Sequence, residues 1–281
     1  ENCGFTLSEA TQYIVLMDDL LAIELGADAH GAVPEVFINA DGVKKSISSP
    51  GVGNYISFSK AVAAAVDIVG IEAVQMRSFV HAHGSSTPAN RVTESELISR
   101  VAETFDIDDW PVTAVKAYVG HSVAAASGDQ LISALGTFKY GLIPGIKTVD
   151  KLAEDVHQQR LNFLLNDTVS PTKMEVSFIN SKGFGGNNAS AVLLSADKVN
   201  AMLLKRYGKA FTHYIDRREI TRKAAEDYAI QADRGNLEVI YRFGEELVDE
   251  KAVTITKMGM NIPGFSRKIE FNFKNLWQDM Q

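Results

Sequence analysis

Short apolar runs and longer amphipathic stretches take turns along most of this chain, and that alternation limits its fold more than any other feature. Pro34–Ala40, Ala73–Ala82, Val112–Tyr118, Met174–Ile179 and Ala189–Ser195 read as strands. Asp18–Gly26, Ser57–Gly70, Thr93–Phe105 and Ala124–Gly141 read as helices. Such an order predicts an α/β layered fold, because the apolar faces of a sheet need helices to cover them. Val62, Ala65, Val66 and Val69 form one stripe of the second helix. Ala124–Gly141 is apolar and rich in small residues, the pattern of a helix buried on most sides. Gly4–Met17 reads as a strand or strand pair, with Tyr13, Val15 and Met17 alternating toward one face. Ser46–Asn54, rich in Ser, Gly and Pro, reads as a loop, and Lys44-Lys45 before it as a solvated pair.

The style changes after Ser195. Asp197–Arg234 is a long charged helical stretch, followed by short alternating runs at Leu237–Phe243, Val253–Lys257 and Ile269–Phe273. A boundary is therefore expected near residue 195, with residues 196–281 forming an α+β extension of a long helix plus short strands.

A net charge of −7 works against non-specific nucleic-acid binding, which depends on Lys and Arg neutralising phosphates. With the single cysteine Cys3 no intramolecular disulfide can form, which suits a reducing cytoplasm. No apolar run reaches the roughly 18 residues that cross a bilayer, so no membrane partner is expected. The opening Glu1-Asn2-Cys3-Gly4 lacks both a Met and the basic and apolar parts of a signal peptide, and is read as belonging to a piece of a longer protein.

Three segments carry chemistry. His83-Gly84-Ser85-Ser86-Thr87-Pro88 lies where a strand opens into a polar loop, a usual place for functional groups in α/β proteins. Lys116-Ala117-Tyr118-Val119-Gly120-His121-Ser122 runs through a Gly turn toward a helix start, with its free N–H groups. Gly183-Phe184-Gly185-Gly186-Asn187-Asn188 permits positive φ and close backbone approach to a ligand. It is no phosphate loop, because no Lys-Ser/Thr pair or helix follows. Taken singly, the histidine reads as a packing residue, the lysine as a solvated charge and the glycines as a plain turn.

In this order the three segments resemble the HGTxTP, KxxxGHxxGAAG and GFGGxN motifs of the β-ketoacyl-acyl-carrier-protein synthases. Gly4-Phe5-Thr6-Leu7-Ser8-Glu9-Ala10 is similar to the family's GFxxGEGA strand. The resemblance covers residues 1 to about 195, and the tail is similar to the extension of a longer bacterial subgroup. It implies a thiolase-like layered α/β fold in which this chain supplies the C-terminal half of a duplicated core, each half a five-stranded sheet with covering helices. The implied activity is that of an acyltransferase of fatty-acid synthesis, joining malonyl-carrier protein to an acyl thioester by decarboxylative Claisen condensation. The nucleophilic cysteine belongs to the N-terminal half in that family, so residues 1–281 alone are expected to be inactive, and Cys3 to be a small buried hydrophobe.

The resemblance assigns His83 and His121 to the malonyl thioester, where two neutral imidazoles can donate N–H bonds to the developing enolate oxygen. Lys116 orders the second histidine, and Glu94 is the carboxylate that pairs with this lysine. The N–H of Phe184 belongs to the oxyanion hole, its ring gates the acyl pocket, and Gly185 and Gly186 shape the substrate-binding turn. Ser85 and Thr87 hydrogen-bond the phosphopantetheine arm of the carrier protein; the enzyme itself binds no cofactor and no metal. The implied partners are acyl carrier protein, the N-terminal half and a second copy in a homodimer.

Several positions depart from the family. Ser85 replaces Thr, Arg91 replaces Asp, His81 replaces Asn, and Ala124 and Ser127 replace glycines. His81, His83 and His121 together offer a metal-site alternative. A non-catalytic reading, a chain-length-factor-like subunit, stands beside the enzymatic one. Ser122, where a thiolase has Pro, and the lack of any cysteine after Cys3 argue against a thiolase.

Overall fold

A computed structural model of the chain describes residues 4–42, 50–170, 172–237, 243–245 and 247–280. The residues up to Ala224 form one compact unit and Ala225–Gln281 a second.

The first unit opens with α1 (Asp19–Leu25), β1 (Gly31–Ala40), α2 (Val52–Val69) and α3 (Ile71–Met76). Then come β2 (Ser78–His81), α4 (Pro88–Thr104), β3 (Trp110–Thr113), α5 (Lys116–Val119) and α6 (Ala126–Tyr140). β4 (Leu142–Ile143), β5 (Leu161–Phe163), β6 (Thr168–Val169), β7 (Val176–Gly183) and β8 (Asn187–Ser195) follow. α7 (Ala196–Tyr207) and α8 (Lys209–Asp233) succeed them.

Six strands make one sheet in the order β1-β8-β7-β2-β3-β5. β7, β2, β3 and β5 run parallel, while β8 is antiparallel to both β7 and β1. The short β4–β6 ribbon stands apart. One apolar layer gathers Phe58, Leu97, Trp110 and Phe178 between the sheet, α2 and α4. The rings of Phe58, Trp110 and Phe178 meet at 5.6–6.0 Å between centroids. Burying each such side chain contributes about 2 kcal/mol. The opposite layer places Ala134 and Phe138 of α6 against Phe79, Ile179 and Leu193.

The layered α/β architecture is the one the alternation predicts, and several elements differ in detail. The sheet has six strands where the family resemblance implies five, because Leu161–Phe163 pairs with β3 along its edge. Ala73–Ala82 is not one strand: Gly70, at φ +88°, ends α2, and a new helix carries Ala73 and Val74 inward before β2 begins. Val112–Tyr118 is likewise divided, since β3 ends at Thr113 and Lys116–Val119 forms a single helical turn. α4 starts at Pro88 rather than Thr93, with Pro in the first turn, where its missing N–H costs nothing.

Gly4–Met17 forms no strand, and among the described residues its one ladder contact is the bridge of Leu7 to His121. Tyr13 and Val15 are 94% and 81% exposed, so the alternation is present but no described strand of this chain pairs with it. α6 buries only one face, through Ala126, Gln130, Ala134, Thr137 and Phe138, and leaves Ile132 and Tyr140 exposed. α2 has the 18 residues and apolar character of a bilayer span, but it buries Phe58, Ala61, Val62 and Ala65 against the sheet.

The charged stretch after Ser195 is two helices, separated at Gly208 (φ +52°). Ser195 caps α7 by accepting from Lys198 N, and Val199, Leu203, Phe211 and Tyr214 join the main apolar layer. The second unit holds a three-stranded antiparallel sheet of β9 (Thr254–Thr256), β10 (Gly259–Asn261) and β11 (Ile269–Glu270). Residues 238–242 of the expected strand Leu237–Phe243, residues 46–49 of the expected loop Ser46–Asn54, Lys44-Lys45 and Cys3 lie outside the described residues, and the last three residues of that loop instead begin α2 at Val52.

Candidate active site

His83 stands two residues past the end of β2, and His121 follows the helical turn α5. Their rings meet edge to face, with centroids 5.3 Å apart and an interplanar angle of 81°. His83 is buried and His121 half-buried. Together with Ile38, Ser127, Gly183 and Asn187 they line a cleft of about 200 Å³.

Backbone N–H groups fix both imidazoles. Lys182 N donates to His83 Nδ1 at 3.3 Å, and Val123 N donates to His121 Nδ1 at 3.1 Å. An Nδ1 that accepts carries no proton, so the neutral ring bears its hydrogen on Nε2. Burial, aided by the Lys116 ammonium, pushes His83 down to about 3 and His121 below its ordinary value. Both rings are therefore neutral Nε2–H donors near pH 7. The Val123 contact requires φ +54° at a β-branched residue, a conformation that costs free energy and persists only where the surroundings hold it.

The stretch Gly4–Ser8 flanks His121. Thr6 O accepts from His121 N at 2.7 Å, Ser8 N donates to His121 O at 3.1 Å, and the Phe5 ring lies 4.9 Å from the imidazole. Gly120 has φ +73°, and a Cβ there would sit 2.9 Å from Thr6 O, so the turn that presents His121 demands glycine.

Lys116 reaches back across the site. Its Nζ donates to His83 O at 2.7 Å. Burial pushes this amine down to about 8, against the opposing pull of Glu94 and Asp129. Its contact is with the backbone of the first histidine, whereas the family resemblance has it order the second.

The Glu94 carboxylate is surrounded by donors. Oε1 accepts from His83 N and Asn180 Nδ2, each at 2.7 Å, and Oε2 accepts from Gly84 N at 3.0 Å and Asn90 Nδ2 at 2.9 Å. Burial alone would raise its pKa; the Gly84 N–H, the Lys182 ammonium and the Asn180 amide outweigh that and hold it below its ordinary value. None of these four hydrogen bonds comes from Lys116, so the coupling of Glu94 to the lysine runs through space.

Ser85 and Thr87 lie side by side, their hydroxyl oxygens 3.2 Å apart, and Ser85 is buried. Phe184 occupies the β7–β8 turn immediately after Gly183, its side chain 62% exposed, with Asn187 Nδ2 donating to its carbonyl. Gly185 and Gly186 make that turn with φ +76° and +81°.

The departures from the family also find places. His81 is fully buried against the Phe79 ring at 5.5 Å, and neither of its nitrogens has a hydrogen-bond partner among the described residues. No group of three His, Cys, Asp or Glu side chains suited to a metal ion occurs among the described residues. Arg91 grips Asp155 through two hydrogen bonds of 2.8 and 2.9 Å, tying down the segment 146–156 beside a second cleft of about 920 Å³.

The motifs did not reveal Asn90, Gln130, Asn180 or Lys182, all buried next to the histidines. Gln130 shares α6 with Asp129, Ser133, Thr137 and Lys139, so its polarity alone did not mark it.

Residues 30–150 match the family described as "Beta-ketoacyl synthase, C-terminal domain". Over its whole length the chain is 62% identical to the β-ketoacyl-[acyl-carrier-protein] synthase FabY of Pseudomonas aeruginosa, of which it spans 44%. It is 26% identical over 198 residues to the highly reducing polyketide synthase claI of Penicillium crustosum, covering 8% of that protein. The crystal structure of the noncanonical ketosynthase FabY from P. aeruginosa superposes with a TM-score of 0.90 at 61% identity, covering 100% of this chain and 44% of that one. A Streptomyces oxazolomycin ketosynthase domain gives a TM-score of 0.56 at 19% identity over 63% of this chain and 32% of its own, a likeness of fold alone.

Proposed function

We propose, from the premise that this chain belongs to the β-ketoacyl synthase family, that it supplies the decarboxylation half of a 3-oxoacyl-[acyl-carrier-protein] synthase. The observation that carries this reading is the pair His83 and His121, both held as neutral Nε2–H donors with ring centroids 5.3 Å apart at one cleft.

An acyl chain first passes to a cysteine thiolate outside this chain. A malonyl thioester, carried on the phosphopantetheine arm of acyl carrier protein past Ser85 and Thr87, then enters the cleft. Its thioester oxygen accepts from His83 and His121. As carbon dioxide leaves, negative charge builds on that oxygen, and N–H donors set in place beforehand stabilise it without reorganising. The enolate carbon attacks the acyl thioester, whose oxygen is met by the N–H of Phe184 and that of the cysteine. Collapse then expels the cysteine thiolate and leaves the 3-oxoacyl product on the carrier. Lys116 and Glu94 hold the backbone of His83 from opposite ends of that residue: Glu94 takes its N–H and Lys116 its carbonyl.

The enzyme works in the cytoplasm, in fatty-acid synthesis, as a homodimer with each copy completed by an N-terminal half. The decisive measurement is malonyl-carrier-protein decarboxylation by the full-length protein, followed as release of labelled carbon dioxide. Release that survives replacement of both histidines by Ala would sink the reading.

A further inference from the structure

We propose that Gln130 is a positioning residue for His83, the side chain that holds the ends of β2 and β7 together where their ladder stops. The proposal rests on the role given to His83 above. The parallel pairing of β2 with β7 runs from Ser78↔Val176 to His81↔Ile179 and goes no further. His83 lies beyond that last pair, and so does Lys182, whose N–H fixes the His83 ring. With no ladder bond between the two strands past this point, some other group must set the separation of His83 from Lys182.

Gln130, fully buried on α6, bridges the gap. Its Nε2 donates to Ala82 O at 2.8 Å and to the carbonyls of His81 and Asn180 at 3.2 Å each. Its Oε1 accepts from Ser181 Oγ at 3.0 Å, which fixes which way the amide points. Two N–H bonds serve three carbonyls, so the amide draws both strand ends to one point.

The peptide plane before His83 is held at both edges. Its carbonyl, from Ala82, binds Gln130, and its N–H, from His83, binds Glu94 Oε1 at 2.7 Å. Asn180 completes the link, with its carbonyl on Gln130 and its side-chain amide on the same Glu94 oxygen. Gln130 and Glu94 thus act on His83 through one shared peptide unit, and loss of the amide releases His83 from the N–H that sets its tautomer.

The test is Gln130→Met, similar in length and without donors, in full-length protein carrying ¹⁵N-histidine. The expected result is near-UV circular dichroism like the parent's, with His83 nitrogen shifts moved from a single Nε2–H form toward an average of both tautomers. Malonyl decarboxylation falls about tenfold in kcat with KM held, as expected for a misplaced catalytic group. Phe138→Leu, on the same helix but away from the clamp, is expected to lower the melting temperature without moving the His83 shifts. Unchanged shifts in folded Gln130→Met, or an equal change in Phe138→Leu, overturn the proposal. If Gln130→Met does not fold, Ser181→Ala, which removes the hydroxyl that orients the amide, must move the same shifts in the same direction, and no movement overturns it. The shifts need no turnover, so a parent protein without decarboxylase activity would defeat the functional reading and still leave the clamp decided.

Discussion

Glu94 and His83 are joined through the backbone: the carboxylate of Glu94 accepts the N–H of His83 at 2.7 Å while the His83 ring meets His121 in the cleft. The anion therefore fixes where the imidazole stands without touching the ring itself. Each oxygen of Glu94 takes two donors, a backbone N–H and a side-chain amide.

Glu94→Gln keeps the shape but places an NH₂ group against two of those donors. A buried donor facing donors leaves groups unsatisfied, and loss of a charged acceptor raises the cost to about 2–4 kcal/mol. Urea denaturation of the variant should show a lower midpoint with an unchanged slope. An unshifted midpoint would mean that the carboxylate is dispensable to the fold.

Replacing His83 or His121 with Ala should lower malonyl decarboxylation by about 10²–10⁴-fold, the usual range for a positioned proton donor. Transfer of the acyl group to the nucleophile should largely survive. Equal loss of both steps, measured separately with acyl-carrier and malonyl-carrier substrates, would assign the histidines a structural role instead.

Acid should weaken the fold through His81 and His83. Burial holds each at about 3 in the folded chain, against an ordinary value of 6.5. Between those values the unfolded chain binds the protons and the folded chain does not, so stability is fully present above about pH 6.5 and is lost as pH falls toward 3. The slope is about 1.4 kcal/mol per pH unit for each histidine. His81→Leu should flatten it by about half, read from denaturation midpoints across that range. An identical slope in the variant would show that His81 does not contribute.

Apolar side chains of Tyr13, Val15, Leu16, Val119, Val123 and Ile132 stand exposed in this chain. Exposed patches above about 300–600 Å² on a monomer mark interaction surfaces. Residues 1–281 expressed alone should associate or aggregate, and co-expression with the N-terminal half should restore a soluble complex, as mass in solution would show. A rigid monomer with no partner bound would overturn the pairing.

Gly120→Ala should impair both stability and catalysis, because an L side chain is strained at φ +73° and its Cβ would press on Thr6 O, the acceptor for His121 N. The melting temperature is expected to fall, and decarboxylation by the protein that remains folded to drop at least tenfold. Full activity would show that the Thr6 contact does not place His121.

The layered α/β class, the order of most elements and the two histidines that meet at the cleft were legible in the order of residues alone. Those features rest on local physics: apolar periods of 2 and 3.6, glycines where φ must be positive, and motif order along the chain. Some element boundaries escaped it, because Ala73–Met76 and Lys116–Val119 are too short for their period to separate helix from strand; the first buries Ala73 and Val74, while the second buries no residue and is closed by its own turn hydrogen bonds. The fate of Gly4–Met17 escaped it too, since alternation shows that a strand could form there but cannot supply the neighbour that a ladder needs. It took the docking of the elements to bring Lys116 to the backbone of His83, four donors to Glu94, and Gln130 across the ends of β2 and β7. Apart from Asn90, four positions from Glu94, these contacts join residues 10–86 positions apart. No local pattern encodes such distances; they are fixed when the helices and strands dock and each buried polar group must find its partner within about 3 Å.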